Sequence, residues 1–396
     1  ANYTADPASG VTLVFNNPTQ NQSFVVNGVT TLDRLIVDKG TDDTYMLDVN
    51  ASATTNFRLF GKNEDNATNT DDPGNVINNK ALEVYAGTLR LGSNITIPRL
   101  VTANADPYNN YYAIDQDAAI ILDGANINVN EDEDDISSII IYGKLVVSGN
   151  STLTSNGGQG IIIREYGSFK IEGNSTVNTG VVRTSSRVDL GVHRGTFIMN
   201  GGTLNISGNN YATSHPAFAF PFPDNTIQIS GGTINVANPS NYTGETYRAE
   251  SWLVSSNPEN ISITGGTVNI FANGRNARIN STAPFYNLNL SSSDNRTISI
   301  EEVTQKTIFI NPTTYITVPA APRRPLVVLN NLTIAANTTF NPQNENVTVG
   351  RNFTLTGTYT PGTNTTTFNT FGIQAFNNSG TITGPGLYDM VLSNGS

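Results

Sequence analysis

Apolar and polar residues alternate along most of this chain, and one short phrase organises the alternation. The phrase reads Ile229-Ser-Gly-Gly-Thr-Ile-Asn-Val236, and close copies read Met199-Asn-Gly-Gly-Thr-Leu-Asn-Ile206 and Ile263-Thr-Gly-Gly-Thr-Val-Asn-Ile270. Glycine adopts a positive φ without steric cost, so Gly-Gly predicts a sharp change of chain direction. The alternation that follows predicts a strand with one buried face and one polar face.

Looser copies of the phrase lie nearer the N-terminus, at residues 122–129, 147–153 and 171–177. Successive glycines of the copies are 24 to 34 residues apart, an interval typical of solenoids. The sequence therefore predicts an all-β chain folded as a right-handed parallel β-helix, or β-solenoid. A β-propeller is disfavoured because the interval varies too widely for uniform blades. Immunoglobulin-like sandwiches are an alternative for residues 284–396 only.

Interruptions of the pattern predict where loops leave the stack. Residues 1–283 are expected to form the β-helix, with insertions near 61–80, 103–117, 209–226 and 237–260. In the third insertion, the three prolines of residues 215–224 are expected to exclude an interior strand. Its three phenylalanines must pack on the stack or form an exposed patch.

After Ala283 the repeated sequence motif changes, and the new motif occurs at 285–290, 327–334 and 387–392. Residues 284–396 are predicted to continue the solenoid or to form a second β-repeat module, truncated at Ser396. A solenoid end must be closed against edge pairing, and no capping element is recognised before Ser396. We therefore expect the chain to be a piece of a longer polypeptide.

Composition narrows the choice of partners. Of 396 residues only 13% are charged, the net charge is −11, and cysteine is absent. The negative charge argues against binding to nucleic acid or to anionic lipid, and the lack of cysteine excludes disulfides. No apolar run reaches transmembrane length, so no membrane insertion is predicted. Acidic, Asn/Thr-rich β repeats favour an exported protein whose signal peptide has been removed.

Several phrases of the last third resemble a known family. Asn331-Leu-Thr-Ile334, Val349-Gly-Arg-Asn-Phe-Thr-Leu355 and Thr367-Phe-Asn369 are similar to repeats in very large surface proteins of Bacteroidota. The likeness covers the last hundred or so residues well and the Gly-Gly-Thr coils more generally. It implies export by the type IX secretion system, a place on the cell surface and a role like that of gliding adhesins. The C-terminal sorting domain of that family is not found in this sequence.

Parallel β-helices also include polysaccharide lyases and glycosidases, so charged clusters were considered as sites. The run Glu131-Asp-Glu-Asp-Asp135 is the densest group of carboxylates. It is interpreted as a solvated acidic loop, with a structural Ca²⁺ site on Asp132, Asp134 and Asp135 as the alternative. No other cofactor is predicted.

A second charged stretch contains more of the residue types that catalysis uses. Residues 183–194 contain three arginines, one carboxylate and one histidine: Arg183, Arg187, Asp189, His193 and Arg194. His193 could move a proton, but no partner nucleophile accompanies it. An outer-face ladder of ion pairs is the favoured interpretation, and no catalytic residue is assigned.

Aromatic residues in the insertions are the candidate binding residues, because aromatic faces suit the apolar faces of sugar rings. They are Tyr108, Tyr111, Tyr112, Phe218, Phe220, Phe222 and Trp252. Packing of the insertions onto the stack is the alternative role for the same side chains. About twenty Asn-x-Ser/Thr sequons also permit glycosylation, among them those of Asn205, Asn241, Asn331 and Asn352.

These observations favour a non-enzymatic, secreted cell-surface protein of structural or adhesive function. Surface glycans or other proteins are the expected partners, together with the secretion machinery that the resemblance implies. A polysaccharide-binding or polysaccharide-degrading β-helix is the alternative. The two hypotheses differ in whether carboxylates and a base from adjacent coils meet in one cleft.

Overall fold

The computed structural model describes residues 3–4, 11–32, 34–59, 82–97, 100, 111–129, 138–155, 160–184, 194–208, 216–237, 250–311, 314–370, 373–384 and 386–394. These residues form strands and one 3₁₀ turn, Pro258–Asn260, and contain no α-helix. A sheet of 20 strands and a sheet of 11 strands dominate the fold. The chain divides into unit 1, residues 1–180, 185–198 and 310–314, and unit 2, residues 181–184, 199–309 and 315–396.

Unit 1 is built from short strands. They are β1 (Tyr3–Thr4), β2 (Thr12–Phe15), β3 (Gln22–Val26), β4 (Thr30–Leu32), β5 (Arg34–Asp38), β6 (Met46–Ala51), β7 (Phe57–Leu59), β8 (Leu82–Leu91), β9 (Thr96–Ile97), β10 (Tyr111–Ile114), β11 (Ala118–Asp123), β12 (Asn126–Asn128), β13 (Ser138–Ile141), β14 (Lys144–Ser148), β15 (Thr152–Ser155), β16 (Gly160–Ile163), β17 (Ser168–Ile171) and β18 (Thr176–Thr179).

Unit 2 begins with β19 (Val182–Thr184) and takes up β20 (Thr196–Ile206) from Met199 onward. Its other strands are β21 (Phe218–Phe220), β22 (Thr226–Ala237), β23 (Trp252–Val254), β24 (Ile261–Ile263), β25 (Thr267–Ala272), β26 (Ala277–Ser281), β27 (Asn287–Ser292), β28 (Arg296–Ile300), β31 (Leu326–Val328), β32 (Leu332–Ile334), β33 (Thr338–Asn341), β34 (Val347–Val349), β35 (Asn352–Leu355), β36 (Thr358–Tyr359), β37 (Thr365–Thr370), β38 (Ala375–Asn378), β39 (Thr381–Ile382) and β40 (Asp389–Asn394). Both units contribute to β29 (Lys306–Asn311) and β30 (Thr314–Val318).

In unit 1 each coil pairs in parallel with the next, and inward residues stack on their counterparts. One apolar column runs through β8, β11, β14 and β17, with all four members buried: Leu89, Ile120, Leu145 and Phe169. Each fully buried apolar side chain of this kind stabilises the fold by about 1.5–3 kcal/mol. The predicted parallel β-solenoid architecture is therefore the architecture found.

Unit 2 repeats this arrangement and extends it through the C-terminal third. Parallel partners join β22, β25, β27, β32, β35 and β38 in one succession, with a common apolar column: Ile234, Val268, Leu288, Leu332, Phe353 and Phe376. A second succession joins β21, β23, β26 and β28 through Phe218, Trp252, Ile279 and Ile300. The segment after Ala283 thus continues the same sheets.

Two of the three Gly-Gly pairs turn the chain inside a strand, in β20 and β22, whereas Gly265-Gly266 lies between β24 and β25. In β22 the buried positions are Ile227 and Ile229 before the glycines, and Ile234 and Val236 after them. The inward side therefore changes from odd to even residue numbers at the corner. Gly232 takes a φ of 84°, a value that suits glycine.

Three predicted insertions contain strands of the stack, which corrects the sequence interpretation. Phe218–Phe220 is an interior strand between β19 and β23, although the prolines of this segment were expected to exclude one. The expectation was wrong because Pro216, Pro221 and Pro223 lie outside the three paired residues. Strands β10 and β23 likewise lie inside the segments 103–117 and 237–260. The segment 61–80 lies outside the described residues.

An additional layer covers part of the outer face of the 11-stranded sheet in unit 2. We call residues 301–309 and 315–325 the outer strap. Val303 and Ala321 of the strap exchange two backbone hydrogen bonds of 2.7 and 2.9 Å as an antiparallel bridge. Together with Val318 they pack on Ala219 and Leu253. This sheet is therefore buried on both faces at β21 and β23.

Candidate functional site

The aromatic residues predicted to bind ligands are core residues wherever their side chains are described. Phe218, Phe220, Phe222 and Trp252 are each at most 6% exposed. The Phe218 and Trp252 rings stack with centroids 4.1 Å apart and planes 12° apart. Their faces are occupied by each other, so this arrangement matches the packing alternative and offers no ring face to a sugar.

The tyrosine trio is only partly described. Tyr112 of β10 is 1% exposed, and burial raises the pKa of its phenol well above the ordinary value. Tyr111 begins β10, but its side chain lies outside the described part, as does the whole of Tyr108.

The charged candidates fall mostly outside the described residues. Asp132, Asp134 and Asp135, as well as Arg187, Asp189 and His193, belong to this set. Arg183 is buried in β19, and Arg194 is exposed. In the part of the chain that the structure describes, no group of three or more His, Cys, Asp or Glu residues could hold a metal ion.

The most regular feature on the surface of unit 2 consists of two columns of small polar residues. We call them the Asn/Thr face. The first column contains Thr203, Thr233, Thr267, Asn287, Asn331 and Asn352, and the second contains Asn205, Asn235, Asn269, Asn289, Thr333 and Thr354. All twelve residues are half-buried and point away from the core, two positions apart along each strand. None of them carries a charge.

Hydrogen bonds between asparagines fix the second column. The Nδ2 group of Asn235 donates to Oδ1 of Asn205 at 2.7 Å, and Nδ2 of Asn269 donates to Oδ1 of Asn235 at 2.7 Å. Nδ2 of Asn289 continues the series to Oδ1 of Asn269 at 2.8 Å. These bonds form an asparagine ladder on the outward face of the strands.

A second ladder holds the first column beyond Thr267. Oδ1 of Asn287 accepts from Nδ2 of Asn331 at 3.0 Å, and Oδ1 of Asn331 accepts from Nδ2 of Asn352 at 2.9 Å. The carboxamide nitrogens of the Asn331 and Asn352 sequons are thus engaged in the ladder. Attachment of a glycan to either nitrogen would remove one of its two N–H groups from a half-buried site.

The ladders leave hydrogen-bonding capacity at each interior rung. A carboxamide has two N–H donors and two acceptor lone pairs, and a ladder uses one of each. Asn235 and Asn269, the interior rungs of the second column, therefore repeat the same donor and acceptor pattern. Thr233 and Thr267 add hydroxyl groups that both donate and accept. The face is a regular array of neutral groups in fixed positions.

Unit 1 carries a similar pair of columns of its own. Thr96, Asn126, Thr152 and Thr176 follow each other in parallel register, and so do Asn128, Thr154 and Asn178.

The charged groups of unit 1 that the structure describes lie mainly in pairs. Arg90 bridges Asp48 at 2.5 Å and Asp123 at 2.6 Å, and the bond to Asp123 is the main cause that raises the pKa of Arg90. Arg34 pairs with Glu83, whose carboxylate also accepts from the Tyr85 hydroxyl. Each of the named charged groups thus has an oppositely charged partner.

The sequence contained the signal for the Asn/Thr face. The Thr-x-Asn triplet after each Gly-Gly pair predicts strand alternation, but the triplet alone does not mark its outward residues as a site. Only the register between coils shows that these residues form columns.

Comparison with known proteins does not assign the chain to a family. No family model, curated protein or solved structure matches the chain. Among the described residues, no helix has the length and apolar character that a membrane span needs.

Proposed function

We propose that this chain is a non-enzymatic, secreted surface protein of structural or adhesive type. The observation that carries the proposal is the Asn/Thr face, a repeated neutral array held by ladders with bonds of 2.7 to 3.0 Å. Such a face suits contact with an extended surface, since it offers many weak, identical contacts and no single reactive group.

Two further observations support a role without turnover. The rings that could have formed a sugar subsite are packed against each other in the core, as in the Phe218–Trp252 stack. Several described charged groups form ion pairs, such as Arg90 with Asp48 and Asp123. A glycosidase would need two carboxylates held apart around a substrate.

The location and export route are proposed on sequence grounds. The acidic, cysteine-free composition and the resemblance to large Bacteroidota surface proteins support secretion through the type IX system. On this proposal the chain is a segment of a longer adhesin, and its partners are surface glycans, proteins or other solid surfaces.

A combined binding and depolymerisation screen of the purified 396-residue chain tests the proposal. We expect no product from any polysaccharide, with or without Ca²⁺. Product formation would contradict the proposal and direct mutagenesis to residues 131–135 and 183–194.

Tryptophan emission provides an internal check on any glycan that binds. Trp252 is the only tryptophan and is 2% exposed, so binding at the outer surface should leave its emission unchanged. A shift in emission on adding sugar would restore the aromatic residues as the binding site.

A further inference from the structure

We propose that the Asn/Thr face binds the surface of ice. The inference rests on the proposed non-enzymatic binding role and names the material that is bound. It follows from three properties of the face: its two-dimensional spacing, its hydrogen-bonding pattern and its rigidity.

The spacing of the face is set by β-sheet geometry. Parallel register places Thr233 opposite Thr267, and Asn235 opposite Asn269, on neighbouring strands. Neighbouring strands are about 4.7–4.9 Å apart, and two residues along a parallel strand span about 6.6 Å. The outward side chains therefore occupy a nearly rectangular lattice with these two repeats.

Ice has a rectangular lattice of similar size, which follows from the hydrogen-bond length. Tetrahedral water molecules joined by O–H···O bonds of about 2.75 Å place second-neighbour oxygens about 4.5 Å apart. The repeat across two puckered layers, perpendicular to that direction, is about 7.3 Å for the same bond length. Both repeats differ from those of the face by no more than about a tenth.

The hydrogen-bonding pattern also suits water. Each water molecule donates two hydrogen bonds and accepts two, so a matching surface needs both kinds of group at every site. Threonine hydroxyls and the remaining N–H and lone pair of Asn235 and Asn269 provide both. A charged group would instead orient its own hydration shell, and the twelve residues of the face contain none.

Rigidity limits the entropy that binding would cost. Threonine is restricted at χ1 because it is β-branched. The asparagines of the ladder are held by bonds of 2.7 to 2.8 Å to both neighbours at Asn235 and Asn269. Few rotamers remain to be immobilised when a solid surface approaches.

The alternative occupants fit the face less well. Sugar rings are usually held by aromatic stacking, and the face has no aromatic residue. A second copy of the chain would place identical polar columns against each other and would bury little apolar surface. Both alternatives become outcomes of the test.

Two pairs of tyrosine substitutions at matched positions test the proposal. Thr233→Tyr/Thr267→Tyr places two bulky rings on the face. Gln228→Tyr/Ser262→Tyr places the same rings on paired, exposed outward positions on the other side of the glycine corner. Tyrosine is well accepted in strands, and circular dichroism with thermal melting checks that each variant folds.

The readouts are ice-crystal shape, thermal hysteresis and partition of the protein into a slowly grown ice front. We expect the unsubstituted chain to enter the ice and to facet crystals. The face variant should lose ice partition at least about tenfold, and the control variant should retain it. If the face variant does not fold, Thr333→Tyr/Thr354→Tyr gives the same test on two other neighbouring strands.

Each contrary result has a distinct meaning. Exclusion of the folded chain from ice, or equal partition of face and control variants, would overturn this inference. Glycan binding or self-association that the face variant abolishes, without ice binding, would also overturn it while leaving the proposed function in place. Depolymerisation of a glycan would instead overturn the proposed function.

Discussion

Glycine at the corners of the coils carries two constraints at once. Gly232 has a φ of 84°, and a Cβ on it would lie 2.6 Å from the carbonyl oxygen of Gly201 in the neighbouring coil. The first constraint is conformational, and the second arises because backbones of adjacent coils meet at the corner. Gly274 has a φ of 70° but has no atom within 4 Å of its Cβ position.

This pair of glycines allows the two costs to be separated. Gly274→Ala should lower the free energy of unfolding by only about 1–2 kcal/mol, the strain of placing alanine in the left-handed region. Gly232→Ala should cost at least about 2 kcal/mol more, since the neighbouring coil must move away. The shift in the urea midpoint of unfolding measures both. Equal shifts would show that the contact between coils is relaxed at no cost.

The pKa of Tyr85 makes the stability of the folded chain depend on pH. Although Tyr85 is 49% exposed, partial burial and then the hydrogen bond to the Glu83 carboxylate raise its pKa to about 12. The folded chain therefore holds this proton more tightly than the unfolded chain, whose tyrosine pKa is near 10. The stabilisation is fully present below pH 10 and is lost as the pH rises toward 12.

We expect Tyr85→Phe to flatten the loss of stability over that range. Urea midpoints measured from pH 9 to pH 12 for the variant and for the unsubstituted chain provide the comparison. The exposed Tyr166, replaced by Phe, is the control for loss of a hydroxyl. Parallel curves for the chain and the Tyr85 variant would contradict the assignment.

At the scale of elements, the outer strap depends on one buried side chain. Nδ2 of Asn280 on β26 donates to the carbonyl oxygens of Glu301 at 2.7 Å and of Pro322 at 2.9 Å. Asn280 is fully buried, whereas Glu301 is half-buried and Pro322 is exposed. One asparagine thus ties both ends of the strap to the sheet.

Asn280→Leu should therefore loosen the strap without emptying the site. Loss of two part-buried hydrogen bonds, at about 0.5–1.5 kcal/mol each, should raise the rate of proteolysis within residues 301–325 roughly tenfold. Arg278→Gln, two residues away on the same strand, is the matched control. If cleavage stays at the control rate, the apolar contacts of Val303 and Val318 alone hold the strap.

The sequence was sufficient to predict strands and corners, but it did not predict which distant segments contact each other. Alternation predicted the strands, and the Gly-Gly phrase predicted the corners. The proline argument failed at Phe218–Phe220 because a strand can be as short as three residues between prolines. The strap could not be foreseen, since it depends on contacts between residues far apart, such as Asn280 and Pro322.

The candidate site shows the same limit. Each Thr-x-Asn triplet is visible in the sequence, but the triplets join into columns only through register. The ladder bonds link residues 30, 34 and 20 positions apart, so no constant period could have aligned them. Coil length varies because loops are added outside the sheets, while the register inside the sheets is kept.

At the scale of the whole molecule, a solenoid transmits little structural disturbance between distant coils. Each strand of unit 2 is bonded to its neighbours in the stack, as β22 is to β24 and β25. Stability in such proteins is close to a sum of terms for each repeat and its nearest neighbours. Damage at one coil should therefore remain local.

Amide hydrogen exchange of the Gly232→Ala variant tests this locality within unit 2. We expect faster exchange in β22 and in β20, because a Cβ at position 232 would meet Met199 and Gly201 of β20. Strands β35 and β38 lie several coils away in the same succession and should keep their protection. The Gly274→Ala variant is the control for strain without contact. Uniform loss of protection across unit 2 would mean that the coils unfold as one cooperative block, and that the Asn/Thr face is lost or kept as a whole.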